Sequence, residues 1–553
     1  MTLPQRRIGL LFAVFLVLLL AGGLRSLWLG VVRADELQAA AVSQQVREVE
    51  VPAQRGSIVD RHGTELAVSE PAADVSATPY LIEDPVTLAG QLAPLLGRPE
   101  AEVLDALTRK DTGFVYLARA TPADRAREIE KLGVAGIEVT DTTRRVYLRD
   151  ALASQVLGVV GTDGRGLFGL EGLYDEALSG VDGSRRVVRD ALGKAISVRD
   201  PEPAEAGESL RLTLDAAIQG KVEDVLARIG ERYAPKGASA LVMRPQTGEL
   251  LAVANWPRVD ANDWADAPPY ARQNRAVSSI YEPGSTFKAF TVAGALETGA
   301  VRPDTMFDLP PSIQVADRVI NESHPRGPVS LTVAEILAQS SNVGTIKIGQ
   351  RLGVPRFDGW VRRFGFGART GTDLPGEERG LVLDPARYSG SSMGNLPIGQ
   401  GVAITPVQLA AAYAAIANGG VLRAPHVVAG VGGERADTPS GRRIISPRTA
   451  AQLRTMLKGV LAPGGTASEA AIPGYQLAGK TGTANKVDSQ TGEYSQSRYI
   501  ASFVGFAPAE RPELLITVMV DEPNGAIYGG EVAAPAFQEI ASFALPYLRI
   551  APR

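Results

Sequence analysis

Three short stretches carry residue types at spacings that could activate an alcohol. In Tyr281-Glu282-Pro283-Gly284-Ser285-Thr286-Phe287-Lys288, a Pro-Gly pair breaks the chain just before an apolar, helix-compatible run, so Ser285 is expected at a helix start. Free backbone N–H groups and the positive end of the helix macrodipole favour a developing alkoxide or oxyanion there. Lys288 follows three residues later, on the same helical face, and can reach the Ser285 hydroxyl. A serine hydroxyl is a poor nucleophile until its proton is removed. A lysine amine kept neutral by burial or neighbouring cations can remove it, which makes Lys288 the expected general base.

The second stretch is Ser340-Ser341-Asn342, after a helix-like run over residues 331–338. Ser340 could relay a proton to a leaving amine while Asn342 hydrogen-bonds a substrate amide. The third is Lys480-Thr481-Gly482-Thr483-Ala484, expected at a strand edge. Lys480 and the hydroxyls of Thr481 and Thr483 suit a terminal carboxylate, and Gly482 would let substrate backbone approach closely. Each stretch alone has a bland reading as a helix turn, a cap or a solvent-facing turn. Their order within one domain is the signal.

Composition narrows the chemistry. The chain has no cysteine and only three histidines, His62, His324 and His426, so thiolate nucleophiles and sulfur-ligated metals are excluded, and neither a metal site nor a Ser-His-Asp triad is expected. A formal net charge of -4 leaves no basic field for nucleic acid. Hydrophobic residues at 45% and charged residues at 21% are those of a folded chain, and 553 residues exceed one core. His324 lies near the second stretch but reads as a loop histidine without partners. Residues 125–131 alternate in charge like a solvated helix face.

The elements that must position these residues follow from patterning. Residues 8–24 are an unbroken apolar run behind Arg6 and Arg7, and apolar character resumes after Arg25 to Val32. This predicts residues 1–7 as a cytoplasmic tail and 8–32 as a transmembrane anchor, with the rest of the chain outside; Ala21-Gly22-Gly23 leaves signal-peptide cleavage as the alternative. Residues 36–199 read as a mixed α+β non-catalytic domain, and the Pro- and acid-rich residues 200–208 as a linker. Residues 209–550 are the expected catalytic domain. There, Asp215 should cap a helix reaching Leu226, and apolar runs over 238–243, 249–254, 500–506 and 514–520 should pair as strands. The fold class is α/β (α+β): one antiparallel sheet flanked by helices, a mixed N-terminal domain and one transmembrane helix.

With these motifs the chain resembles the serine β-lactamase and penicillin-binding protein superfamily, and specifically the class B penicillin-binding proteins. Further segments carry the likeness: Arg55-Gly56-Ser57-Ile58-Val59-Asp60-Arg61-His62-Gly63, Gly169-Leu170-Glu171-Gly172-Leu173-Tyr174, Pro397-Ile398-Gly399-Gln400-Gly401 with Thr405-Pro406, and Gly529-Gly530 before Val532-Ala533-Ala534-Pro535. The resemblance implies a D,D-transpeptidase without cofactor. Ser285 would attack the penultimate D-Ala carbonyl of a D-Ala-D-Ala stem peptide, an amine of a neighbouring stem would resolve the acyl-enzyme, and β-lactams would acylate the same serine. Backbone N–H groups at Ser285 and Thr483 would form the oxyanion hole. Glu282 and residues 499–506 look more like division-specific relatives than elongation-specific ones, which implies septal synthesis at the inner membrane. The implied partners are a glycosyltransferase of the shape, elongation, division and sporulation family and other division membrane proteins. Arg144-Arg145-Val146-Tyr147-Leu148-Arg149 departs from the family, which often has proline after the tyrosine, and puts the loop there in question. Two other readings share the fold: a β-lactam sensor or β-lactamase, disfavoured because no deacylating base is apparent, and a non-catalytic division scaffold, disfavoured by the intact motifs.

Overall fold

The computed structural model describes residues 3–34, 46–189, 195–488 and 491–552. The chain divides into two compact units, each assembled from separate segments: Met1–Gln54, Pro71–Thr143 and Gly180–Gly207 in one, and Arg55–Glu70, Arg144–Ser179 and Glu208–Arg553 in the other. The second unit therefore includes two stretches that lie inside the expected N-terminal domain.

In the first unit, the helix Leu3–Leu27 continues into a wider turn, Trp28–Val32. The span Arg7–Val32 has a mean hydropathy of 2.4, and it is the one helix among the described residues long and apolar enough to cross a membrane. Its apolar side chains, Ile8 and Leu11 to Val31 among them, are exposed, as a single-pass anchor requires. A small core of Leu88, Leu92, Val103, Leu117 and Ile129 joins the helices Pro85–Leu96, Glu100–Leu107 and Ala123–Lys131 to the strand Val115–Pro122. The last of those helices buries Ala126 and Ile129 and turns its charges to solvent, as its alternation predicts. The stretch expected as a linker is paired rather than free. Residues 200–202 finish the strand Ala195–Glu202, and Val181 and Glu205 exchange backbone hydrogen bonds, because an extended polar segment satisfies its N–H and C=O groups on the nearest strand.

The second unit is built on a five-stranded antiparallel sheet, in the order Leu250–Trp256, Gly237–Met243, Leu514–Asp521, Tyr494–Ala507, Ala478–Val487. Its central strands are buried on both faces, which is why they read as continuous apolar runs rather than alternating ones. One face carries the helices Ala216–Tyr233 and Gly529–Tyr547, through Val222, Leu226, Phe503 and Phe537. The other carries Lys288–Glu297, Pro406–Ala417 and Pro447–Lys458, through Phe290, Tyr413 and Leu457. Asp215 caps the first helix by accepting from the N–H groups of Ala217 and Ile218. That helix runs on to Tyr233, past the expected Leu226, because Ile229 and Gly230 are buried against the sheet. A short strand, Leu210–Leu212, takes its register from pairing with Ile58–Val59 and Val428–Val431.

The N-terminal segments of this unit hold a buried ionic cluster. Arg55 Nε contacts Glu171 Oε2 at 2.6 Å, Arg55 NH1 contacts Asp175 Oδ1 at 2.6 Å, and Arg145 Nε contacts Glu171 Oε1 at 2.6 Å. Two of the family-like segments thus meet in one structural cluster, through Arg55 and Glu171. Arg144 and Arg145, where the chain departs from the family, end the strand Ile137–Tyr147, and Arg144 pairs with Glu70.

Candidate active site

Ser285 lies in a tight 3₁₀ turn, Gly284–Phe287, that leads directly into the helix Lys288–Glu297. The expected helix start is thus one tighter turn upstream of the α-helix proper. Gly284 has φ 54°, and a side chain there would meet the Thr483 carbonyl oxygen at 2.8 Å, so the turn is pressed against the edge strand. Its N–H donates to the Gly399 carbonyl at 3.2 Å, and Tyr413 donates its hydroxyl to the Thr286 carbonyl at 2.7 Å. The family-like segment over residues 397–401 is therefore a brace for this turn. Phe287 and Phe290 lock it from below, packed on each other and on Phe366. Ser285 itself is half-buried, and among the described residues no side chain or backbone group hydrogen-bonds its hydroxyl.

Lys288 is fully buried. Its Nζ donates to the Ser340 carbonyl at 2.6 Å and to Asn342 Oδ1 at 2.7 Å, and it lies 3.2 Å from Ser340 Oγ. Sequence spacing predicts contact with Ser285; the bonds the structure makes are to the second motif instead. Burial pushes the amine down to about 7, against the pull of the nearby Glu322 carboxylate. A neutral amine has two N–H groups and one lone pair. With both N–H groups committed to fixed acceptors, the lone pair remains to take a proton.

Ser340 holds a left-handed backbone, φ 60°, without being glycine. That turns its carbonyl onto Lys288. Ser341 caps the helix Asn342–Leu352 by accepting from the Gly344 N–H. The residue missing from the sequence reading is Glu322, which follows the hairpin Ser312–Val315/Arg318–Asn321. Its carboxylate accepts from the Ser341 hydroxyl at 2.6 Å and from the Asn342 N–H at 2.6 Å, and Asn342 Nδ2 donates to the Asn321 carbonyl at 2.9 Å. Nothing in local spacing marks an acid about a score of residues upstream on a separate hairpin; only its closeness to a Ser-x-Asn stretch hints at it. His324, expected to lack partners, stacks on Tyr528 with ring centroids 5.5 Å apart.

Lys480 is fully buried on the edge strand Ala478–Val487, as expected for that stretch, and its Nζ donates to the Thr481 carbonyl at 3.2 Å and the Thr481 hydroxyl at 3.3 Å. Burial, and then the charge of Lys288, hold it well below the usual lysine range. Thr481 Oγ1 is 2.8 Å from Thr466 Oγ1, and Thr483 Oγ1 accepts from the Gly529 N–H at 3.1 Å. Both hydroxyl oxygens can still donate to a carboxylate. A side chain at Gly482 would strike Ser502 Oγ at 2.3 Å and the Pro283 carbonyl at 2.9 Å, so its bareness admits the serine turn. Gly529 is small for the same reason, since a side chain would meet the Gly482 and Ser502 carbonyls at 2.3 Å. Among the described residues no cluster of potential metal ligands occurs.

Residues 238–542 match the penicillin-binding protein transpeptidase domain, and residues 50–212 match the penicillin-binding protein dimerisation domain. The chain is 35% identical over 578 residues to penicillin-binding protein PbpB of Mycolicibacterium smegmatis, covering 96% of this chain and 89% of that one. It is 32% identical over 536 residues to peptidoglycan D,D-transpeptidase FtsI of Escherichia coli, covering 96% and 89%. Among solved structures, penicillin-binding protein 3 of Mycobacterium tuberculosis in complex with ampicillin superposes with a TM-score of 0.73 at 32% identity, covering 91% of this chain and 97% of that one.

Proposed function

We propose a division of labour in the site from one premise: this chain belongs to the family of penicillin-binding protein transpeptidases. The protein is a serine-type peptidoglycan D,D-transpeptidase of the septal, division type, and it binds stem peptides and β-lactams covalently. Ser285 is the nucleophile. Its Oγ attacks the penultimate D-Ala carbonyl and its proton passes to the Lys288 amine. Ser340, 3.2 Å from that amine, carries the proton to the departing D-Ala nitrogen as the peptide C–N bond breaks. An amine of a second stem then attacks the ester, and the proton returns to Ser285 Oγ. Asn342 orients the donor peptide, and Lys480 with Thr481 and Thr483 receives its terminal carboxylate. The backbone N–H groups of Ser285 and Thr483 stabilise the oxyanion, a pairing supported by the close approach of Gly284 to the Thr483 carbonyl. The chain's own residues account for each proton transfer without a cofactor.

One observation carries this reading: a buried lysine amine near neutrality, with both N–H groups fixed on Ser340 and Asn342, three residues from a serine hydroxyl that no described residue hydrogen-bonds. Intact-mass measurement after penicillin treatment, with peptide mapping, tests it. The expected result is one penicilloyl adduct per chain on Ser285; an adduct elsewhere, or none, refutes the assignment.

Residues 36–199 and 209–550 serve as non-catalytic and transpeptidase domains. Residues 8–32 cross the inner membrane once, with Arg6 and Arg7 keeping the short N-terminus in the cytoplasm and the site outside. The exposed apolar side chains along the anchor support that placement and offer a surface to a polytopic glycosyltransferase of the shape, elongation, division and sporulation family. Because the chain has no cysteine, single cysteines introduced before residue 8 and after residue 36 report orientation with an impermeant thiol reagent. Labelling of only the second is expected.

A further inference from the structure

Ser340 is left-handed because it closes the helix Val333–Ala338: its N–H donates to the Leu337 carbonyl at 3.3 Å and the Ser341 N–H to the Ile336 carbonyl at 2.9 Å. The two residues that follow it are fixed by one side chain. Glu322, with its carboxylate nearly sequestered from solvent, accepts from both residues that follow Ser340, through the Ser341 hydroxyl and the Asn342 N–H. Arg326 pairs with the Glu322 oxygen that also accepts from Ser341, and anchors itself on the Leu309 and Gly327 carbonyls. Two residues beyond Glu322, His324 stacks on Tyr528, the residue before the Gly529 N–H that donates to Thr483. The loop from Glu322 to Arg326 thus ties the Ser-x-Asn element to the edge strand.

We propose that Glu322 is a positioning residue for acyl transfer: it holds Ser341 and Asn342 so that the Ser-x-Asn element stays on the Lys288 amine, and it is the carboxylate that faces that amine. The proposal rests on Lys288 being the base, as argued above. One charge acts on the amine, Glu322, which favours its protonated form against burial, while the charge of Lys288 holds Lys480 down. The other ionic groups on helices packed around the Lys288 helix are engaged elsewhere or exposed: Lys347 with the Asp308 carbonyl, Arg362 with Asp358, Arg363 over Trp360, Arg454 with the Ile416 carbonyl, Lys458 with Gln476, Glu335 with Thr332 and Glu297 with Ser446, while Arg351, Arg356 and Arg448 face solvent. Neutralising Glu322 therefore removes the carboxylate charge that favours a proton on Lys288, and the amine becomes free at lower pH.

The test is the second-order rate of fluorescent-penicillin acylation of the full-length protein, measured from mildly acidic to mildly basic pH, for Glu322→Gln, Glu322→Ala and Glu322→Asp, with thermal unfolding alongside. In Glu322→Gln the acid limb of the profile should move to lower pH. In Glu322→Ala the rate at optimal pH should fall by ~10²-fold, the order expected when a reacting group is misplaced by about an ångström. Glu322→Asp should return the acid limb to its wild-type position. An acid limb that stays in place in Glu322→Gln overturns the proposal, whether the rate is unchanged or falls uniformly at all pH as a merely structural role requires. If wild-type adduct maps away from Ser285, the reading of the site beneath this proposal fails first; if it maps to Ser285 and the limb stays, the proposal fails alone.

Discussion

The second compact unit buries charge in two places and treats it in opposite ways. In the cluster of Arg55, Arg145, Glu171 and Asp175, each cation meets a carboxylate at 2.6 Å, and the arginine and glutamate side chains are almost wholly shielded from water. At the serine turn, two lysines are fully buried near each other, and the one carboxylate beside them is already occupied by Ser341, Asn342 and Arg326. Paired burial repays part of the desolvation of each ion and gives a fixed scaffold. Unpaired burial makes the protonated amines unfavourable and leaves a base ready at neutral pH. The contrast separates charge kept for architecture from charge kept for chemistry, though both involve residues that are rarely buried.

The largest effect that sharpens the contrast is Ser285→Ala, which should abolish penicillin labelling while leaving the unfolding temperature in place; persistent labelling would break the chemical half of it. Next, Lys288→Ala should slow acylation by ~10²- to 10⁴-fold, the range of a lost general base, and the wild-type rate should climb as pH rises through about 7, where Lys288 gives up its proton. On the architectural side, Glu171→Ala leaves two buried guanidiniums without their shared partner and should cost about 3–5 kcal/mol in unfolding, with the folded fraction still acylated. A large loss of acylation at unchanged stability would erase the distinction.

The smallest effect is a matter of sign. The Lys288 amine loses its proton near 7 in the folded chain but near the ordinary lysine value when unfolded, so the unfolded state binds more protons between those limits. Stability from this residue therefore rises with pH across that window, and its penalty is greatest and constant below it. Lys288→Met should accordingly gain more stability relative to wild type at pH 6 than at pH 9, measured by thermal unfolding at both. An equal difference at the two pH values would mean that the amine stays charged.

Much of the fold was legible because local rules and packing agree. Apolar runs of strand length, separated by Arg244-Pro245-Gln246-Thr247-Gly248 and by the Pro-bearing residues 507–512, became paired strands, and Asp215 capped the helix it was expected to cap. Where packing overrode local signals, the reading slipped. The Pro-rich residues 200–202 were recruited into a strand, and the helix after Asp215 ran on because its later turns also had a face to bury. At the site, the three motifs and their order could be read, whereas Glu322, the braces from Gly399 and Tyr413, and the stack of His324 on Tyr528 could not, since each joins residues far apart in the chain.

The sequence by itself determined which groups are present: a serine after a Pro-Gly break, a lysine one turn on, a Ser-x-Asn stretch, a Lys-Thr-Gly strand and an apolar anchor, because residue type and short-range spacing are local properties. The tertiary structure decided what those groups are able to do. Only the closed fold excludes water from Lys288 and Lys480, points the Lys288 N–H groups at Ser340 and Asn342 instead of Ser285, and spends the bareness of Gly482 on the serine turn. Proton affinity depends on desolvation and neighbouring charge, and both are set by residues that the chain brings together only when it folds.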